Sequence, residues 1–126
     1  MSGYAIRAID EMASVHHGAV KLAGAELGIR AFGMQVLDLP PGFADYPEHH
    51  HAEDGQEEVY IVLNGRAEFR IDGTEVPADA GQAVRVDATC TRALRAGPEG
   101  ARILAIGRAP EAPYERPEGF RLEACS

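Results

Sequence analysis

Basic residues are scarce in this sequence. Twelve Lys and Arg stand against twenty Asp and Glu, for a formal net charge of −8. That balance argues against a nucleic-acid footprint, which needs a clustered basic surface. No apolar run approaches the stretch of about eighteen residues that can span a bilayer, so no membrane partner is expected. The opening MSGYAIRAIDEM lacks the basic start and following apolar stretch of a secretory signal. Cysteine is nearly absent: Cys90 and Cys125 stand far apart in no ligand-like spacing. Without an export signal they read as two reduced thiols, and the expected location is cytoplasmic. Internal repeats and low-complexity tracts are missing as well.

What is present is an ordinary globular composition, 45% apolar and 25% charged over 126 residues. That length suits one domain with one core, here residues 1–126. Residues 4–9 (YAIRAI) could form a short strand, whereas DEMAS and AVKLAGAEL read as short helical pieces, with Gly28 as a stop. From Ala31 onward the pattern is of strands punctuated by turns. FGMQVLDL ends at Pro40-Pro41-Gly42, which cannot continue a ladder. EVYIVL (58–63) is stopped by Asn64-Gly65, and RAEFRI (66–71) alternates strictly into Asp72-Gly73, a two-residue hairpin signal. TEV, the turn-like PADAG, QAVRVD (82–87), TRALRA (91–96) and ARILAIG (101–107) complete the series. Short strands at such intervals predict an all-β sandwich or barrel, with its core at about 31–107 and N-terminal elements in 1–30. The Pro-containing segment 109–126 is expected to be an extended tail, lying on the surface or across a partner subunit.

The stretch PEHHHAEDGQEEVYIVLNG (47–65) carries the chemistry. Strand alternation places His49 and His51 on one face and turns His50 away. By the same rule Glu58, Tyr60 and Val62 share a face. If the two segments pair as an antiparallel hairpin, Glu58 approaches both imidazoles. Two imidazole nitrogens and a carboxylate oxygen suit a first-row divalent metal, with positions left open for water or substrate. Glu53, Asp54 and Glu57 are expected to face solvent. The facing of Gln35 and Arg85 stays open, and His16 and His17 read as a solvated pair.

These residues resemble the first motif of the cupin family: a glycine, His-x-His, a glutamate, six residues and a glycine. Gly42, His49, His51 and Glu58 fit it, with VYIVLN separating Glu58 from Gly65. The spacing from His51 to Glu58 is longer than usual for the family, which keeps Glu57 open as a substitute. The resemblance implies an antiparallel cupin-type β-barrel (a jelly roll, or double-stranded β-helix) with short N-terminal helical segments. It also implies a small bacterial protein, a divalent metal ion (Zn, Fe, Mn or Ni), a small-molecule ligand and a homodimer.

The second cupin motif departs. Gly81 looks like its glycine, but Arg92 stands where its histidine is expected, and no histidine follows His51. Three readings stay open for Arg92. It tolerates a metal held by His49, His51 and Glu58 alone. It replaces the metal as a fixed cation that anchors a carboxylate or phosphate. Or it pairs with a neighbouring acid. Cys90, two residues earlier, reads as a small core side chain sooner than as a ligand, and Tyr60 is the further pocket candidate. Function therefore divides among a metal-dependent oxygenase or isomerase, a metal-free binding or sensor module, and a metal-free isomerase with a histidine base.

Overall fold

The computed structural model describes residues 3–124, so Cys125 lies outside the described residues. Among the described residues seven strands run antiparallel: β1 (Ser14–Val15), β2 (Val20–Lys21), β3 (Gly33–Leu39), β4 (Glu57–Ile71), β5 (Thr74–Asp79), β6 (Ala83–Val86) and β7 (Arg92–Arg108). Their order is β1-β2-β3-β7-β4-β5, with β6 against β4. One short helix, α1 (Ala23–Leu27), precedes β3 and is closed by Gly28 at φ 72°. This is an antiparallel all-β architecture, as the turn spacing predicts.

Two of the strands are much longer than the turn residues suggest. Asn64-Gly65 does not reverse the chain, and neither does Gly97-Pro98; β4 and β7 run through them for 15 and 17 residues. The first half of β4 lies between β6 and the far end of β7, and the second half between β5 and the near end of β7. The register shifts around Leu63 and Arg66, where β4 bends. Gly65 makes that bend at φ 76°, and a Cβ there would meet the Gly100 carbonyl at 2.1 Å. A glycine in a strand can mark a bulge or close backbone contact as well as a turn. The partner strand decides which. By contrast Asp72-Gly73 is a true hairpin, with both residues at positive φ. Pro77, read as turn, sits inside β5, an edge strand where the missing N–H costs no ladder bond.

Alternate positions of β3, β4 and β7 fill the core. Leu37, Leu39, Tyr60, Val62, Phe69, Leu94 and Ile103 are buried there with several alanines. Each large apolar side chain so buried contributes about 1.5–3 kcal/mol. The other face of β3 presents Val36 to a second cluster with Met12 and Ala23, which α1 and the N-terminal elements cover. In that N-terminal region the sequence expectation fails in part. YAIRAI is not a strand and is exposed except for Ile9, which packs on the second cluster; Ile9–Glu11 is one 3-10 turn, and AVKLAGAEL divides between β2 and α1. Too few residues repeat there for periodicity to show.

Candidate metal centre

Residues 47–51 are not a regular strand, and they do not pair with β4 as a hairpin. Instead His49 bridges the start of β7. Its N–H donates to the Arg92 carbonyl at 2.9 Å, and the Arg92 N–H donates back to the His49 carbonyl at 2.8 Å. His51 is tied on by its N–H to the Ala88 carbonyl at 2.8 Å. The pair thus reaches Glu58 by way of β7 and its preceding loop. The outcome is still convergence: ligand atoms of His49, His51 and Glu58 all lie within 4.8 Å of one another.

Both imidazoles are held by their Nδ1 atoms. His49 Nδ1 lies 3.1 Å from the Pro47 carbonyl, and His51 Nδ1 lies 3.1 Å from both carboxylate oxygens of Asp54. An Nδ1–H donated to such oxygens leaves the Nε2 lone pair free for a ligand role. His49 Nε2 and His51 Nε2 approach Glu58 Oε1 at 3.9 and 3.3 Å. The His51 nitrogen is buried and has no hydrogen-bond partner. A buried ring nitrogen facing a carboxylate at that distance fits a shared positive charge, a proton on the imidazole or a metal ion between the two groups.

Glu58 is the hub. It sits on β4 opposite Gly107 of β7, and a Cβ on that glycine would come within 3.0 Å of Glu58 Cγ. Tyr60, two residues on and on the same face, donates its hydroxyl to Glu58 Oε1 at 2.7 Å. Arg92 brings Nη1 to 3.4 Å of the same oxygen, while its Nη2 donates to the Asp87 carbonyl at 2.7 Å. Burial alone would raise the Glu58 pKa. Its contacts with His51 and Tyr60 and the charge of Arg92 outweigh that and hold it below the ordinary value. The contact with Glu58 lifts His51 above its ordinary value against the effect of burial. Burial and the Glu58 charge push Tyr46, beside His49, up to about 12. Burial also raises Tyr60.

The triad opens into a cavity of about 740 Å³. Tyr60 and Arg92 are fully buried behind Glu58, and neither side chain is on the cavity wall. The cavity meets the carboxylate, and the carboxylate meets the guanidinium. Of the readings for Arg92, pairing with a neighbouring acid is the one this placement displays. Glu57, the alternative acid, turns away to Arg85 at 2.6 Å, and His50 faces solvent. Cys90 lies near Asp72, which raises its pKa, and away from the triad.

Several residues of the site escape sequence reasoning. Asp54 is half exposed, as expected, yet it orients His51; the i,i+3 spacing ahead of Gly55 is its one sequence signal. Tyr46, whose ring lies 5.7 Å from that of His49, carries no signal of its own. Gln35 proves to face the cavity. His16 and His17 line its rim, both at positive φ in the β1–β2 turn.

A family model described as a cupin domain, Cupin_2, matches residues 35–107. Among solved structures the chain is similar to a cupin protein from Bacteroides fragilis, at 21% identity and TM-score 0.73 over 93% of each chain. It is similar to a Photorhabdus luminescens protein at 20% identity and TM-score 0.64, over 88% of this chain and 91% of that one. A predicted oxalate decarboxylase from Thermotoga maritima aligns at 22% identity and TM-score 0.53, over 74% and 70%. These likenesses are of fold. No curated protein sequence matches.

Proposed function

The chain belongs to the cupin family through its Cupin_2 domain, and from that premise we propose that it binds a divalent metal and a small anionic or hydroxylated ligand. His49 Nε2, His51 Nε2 and a Glu58 oxygen would hold the ion. The single observation that carries this reading is the inward-facing, unpartnered His51 Nε2 at 3.3 Å from Glu58, with Asp54 fixing the other ring nitrogen. Two imidazoles and one carboxylate leave coordination positions open, the donor set of metals such as Fe, Mn, Ni or Zn. Such an ion supplies Lewis acidity toward a ligand oxygen.

The ligand's charge follows from the donor set. Glu58 contributes −1, and Arg92, in contact with it, contributes +1. The two cancel, so a divalent ion keeps its positive charge at the triad itself. Asp54 on the far side of His51 and Asp45 elsewhere on the wall reduce the field over the rest of the cavity. An anionic ligand is favoured at the triad, in a low-dielectric site where charge is weakly screened. Metal-dependent oxygenase or isomerase chemistry is the class that suits open positions and an anionic substrate. The chain's own groups hold and orient: Tyr60 and Arg92 steady Glu58, and Asp54 steadies His51.

A metal-free binding module is the second reading, favoured by the same Arg92–Glu58 contact, which neutralises the carboxylate without an ion. Thermal unfolding of chelator-treated protein separates the two. Under the metal reading, Zn, Mn, Ni or ferrous ions raise the midpoint, and the rise disappears in His49→Ala and His51→Ala. An unchanged midpoint with every ion would leave the metal-free reading standing.

A further inference from the structure

The chain beyond β7 lies outside the matched family segment, which ends at residue 107. It nevertheless returns to the cavity. Residues 113–117 run without regular structure into short 3-10 turns at Glu118–Phe120 and Leu122–Ala124. Two contacts dock this tail on its own chain. The ring of Tyr114 lies over Gly33 of β3, where a Cβ would come within 2.9 Å of the Tyr114 Cε1 and 3.0 Å of its hydroxyl. Arg116 Nη2 donates to the Ile29 carbonyl at 2.5 Å. Burial raises the Tyr114 pKa, in keeping with a ring held against the barrel.

Tyr114, Pro117 and Phe120 of this tail line the same cavity as His49, His51 and Glu58. Barrel residues Leu37, Leu39 and Phe43 add further apolar lining. The cavity therefore offers two unlike kinds of wall, one of metal-ligating polar groups and one of rings and branched aliphatics. At about 740 Å³ it is far larger than a bare acetate-sized acid fills. Pockets of this size bury ligands mainly through apolar lining and use a few polar groups for orientation.

We propose that the C-terminal tail is a specificity-determining wall, and that the ligand is a small acid carrying an aromatic body seated by Tyr114 and Phe120. The acid head rests on the metal reading above; the aromatic body rests on the tail geometry alone. A flat ring suits this wall because offset and edge-on ring contacts add to the gain from apolar burial. Gly33 is the residue that lets the wall form, since any side chain there would displace Tyr114.

The test has one arm without metal and one with it. In chelator-treated protein, the fluorescent aromatic anion anilinonaphthalene sulfonate should bind saturably through its rings. Tyr114→Ala/Phe120→Ala should weaken it by about tenfold or more, with Phe120→Leu retaining most of the affinity. In cobalt-loaded protein, followed by its visible spectrum, benzohydroxamate should bind at least about tenfold tighter than acetohydroxamate. The double variant should abolish that preference while acetohydroxamate affinity stays unchanged. Phe120→Ala alone serves if the double variant does not fold, since Phe120 is only half-buried. Absence of an aryl preference in the wild type, or equal probe binding by wild type and variant, would overturn the inference. If cobalt does not bind but the fluorescent probe responds to the tail variants, the metal reading fails and the tail wall stands.

Discussion

Arg92 Nη1 lies 3.4 Å from Glu58 Oε1, and the guanidinium is wholly buried. The position that a family histidine would occupy thus holds a cation behind the carboxylate, outside the cavity wall. Removing one partner of a buried pair leaves the other charge uncompensated. Arg92→Ala should therefore lower folding stability by about 3–5 kcal/mol, read by urea unfolding of metal-free protein. Arg92→Met paired with Glu58→Gln should recover most of that loss. Equal stability of Arg92→Ala and wild type would show that the pair contributes nothing.

Proton linkage gives the second prediction. His51 titrates above its ordinary value of 6.5, so its contribution to metal-free stability is full below 6.5 and is lost as pH rises through the raised pKa. Glu58 titrates below its ordinary value of 4.5, so its contribution is full above 4.5 and is lost as pH falls through the lowered pKa. Together they favour the metal-free fold between 4.5 and 6.5. Metal competes with the His51 proton, so stabilisation by metal should grow as pH rises through that same pKa. Melting curves with and without metal, from about pH 5 to about pH 9, check both slopes. A metal-induced shift that is flat with pH would exclude His51 as a ligand.

Asp54 acts on the site through His51 Nδ1. Loss of such a partner costs about 10–100-fold in metal affinity. Asp54→Ala should show that loss in a competitive chelator titration. Its side chain is 52% exposed, so the melting midpoint of metal-free protein should scarcely move.

Gly107 is the backbone gap through which Glu58 reaches the imidazoles. A Cβ there would stand 2.9 Å from Gln56 Oε1 and 3.0 Å from Glu58 Cγ. Gly107→Ala should weaken metal binding by about tenfold or more by displacing the carboxylate. Gly119→Ala, where a Cβ meets nothing within 4 Å, is the control and should bind as wild type. Indistinguishable titrations for the two variants would mean that Glu58 is not a ligand.

Local rules made part of this protein legible. The two-residue period puts Glu58 with Tyr60 and Val62 on β4, because side-chain alternation needs no knowledge of partners. His50 also turns away from His49 and His51, though that segment holds only an isolated bridge and no regular strand. The resemblance to the cupin motif, through the spacing from Glu58 to Gly65, favours Glu58 over Glu57, which the structure turns toward Arg85. Pairing is a different matter. Nothing in PEHHH states that its backbone partner is Arg92 and Ala88 in place of the Glu58 strand. Asn64-Gly65 misleads for the same reason: a left-handed glycine serves a hairpin or a bulge, and the approach of Gly100 decides. The tail has no periodicity at all. It is placed by a ring lying on Gly33 some eighty residues earlier, a contact that composition does not encode.

Metal content is the most direct test of the central claim. Protein purified without a histidine tag, and analysed for its elements, should carry close to one equivalent of a first-row divalent metal, and His51→Ala and Glu58→Gln should lose it. Wild-type protein without metal, and without gain in thermal stability from any divalent ion, would contradict a metal centre at His49, His51 and Glu58.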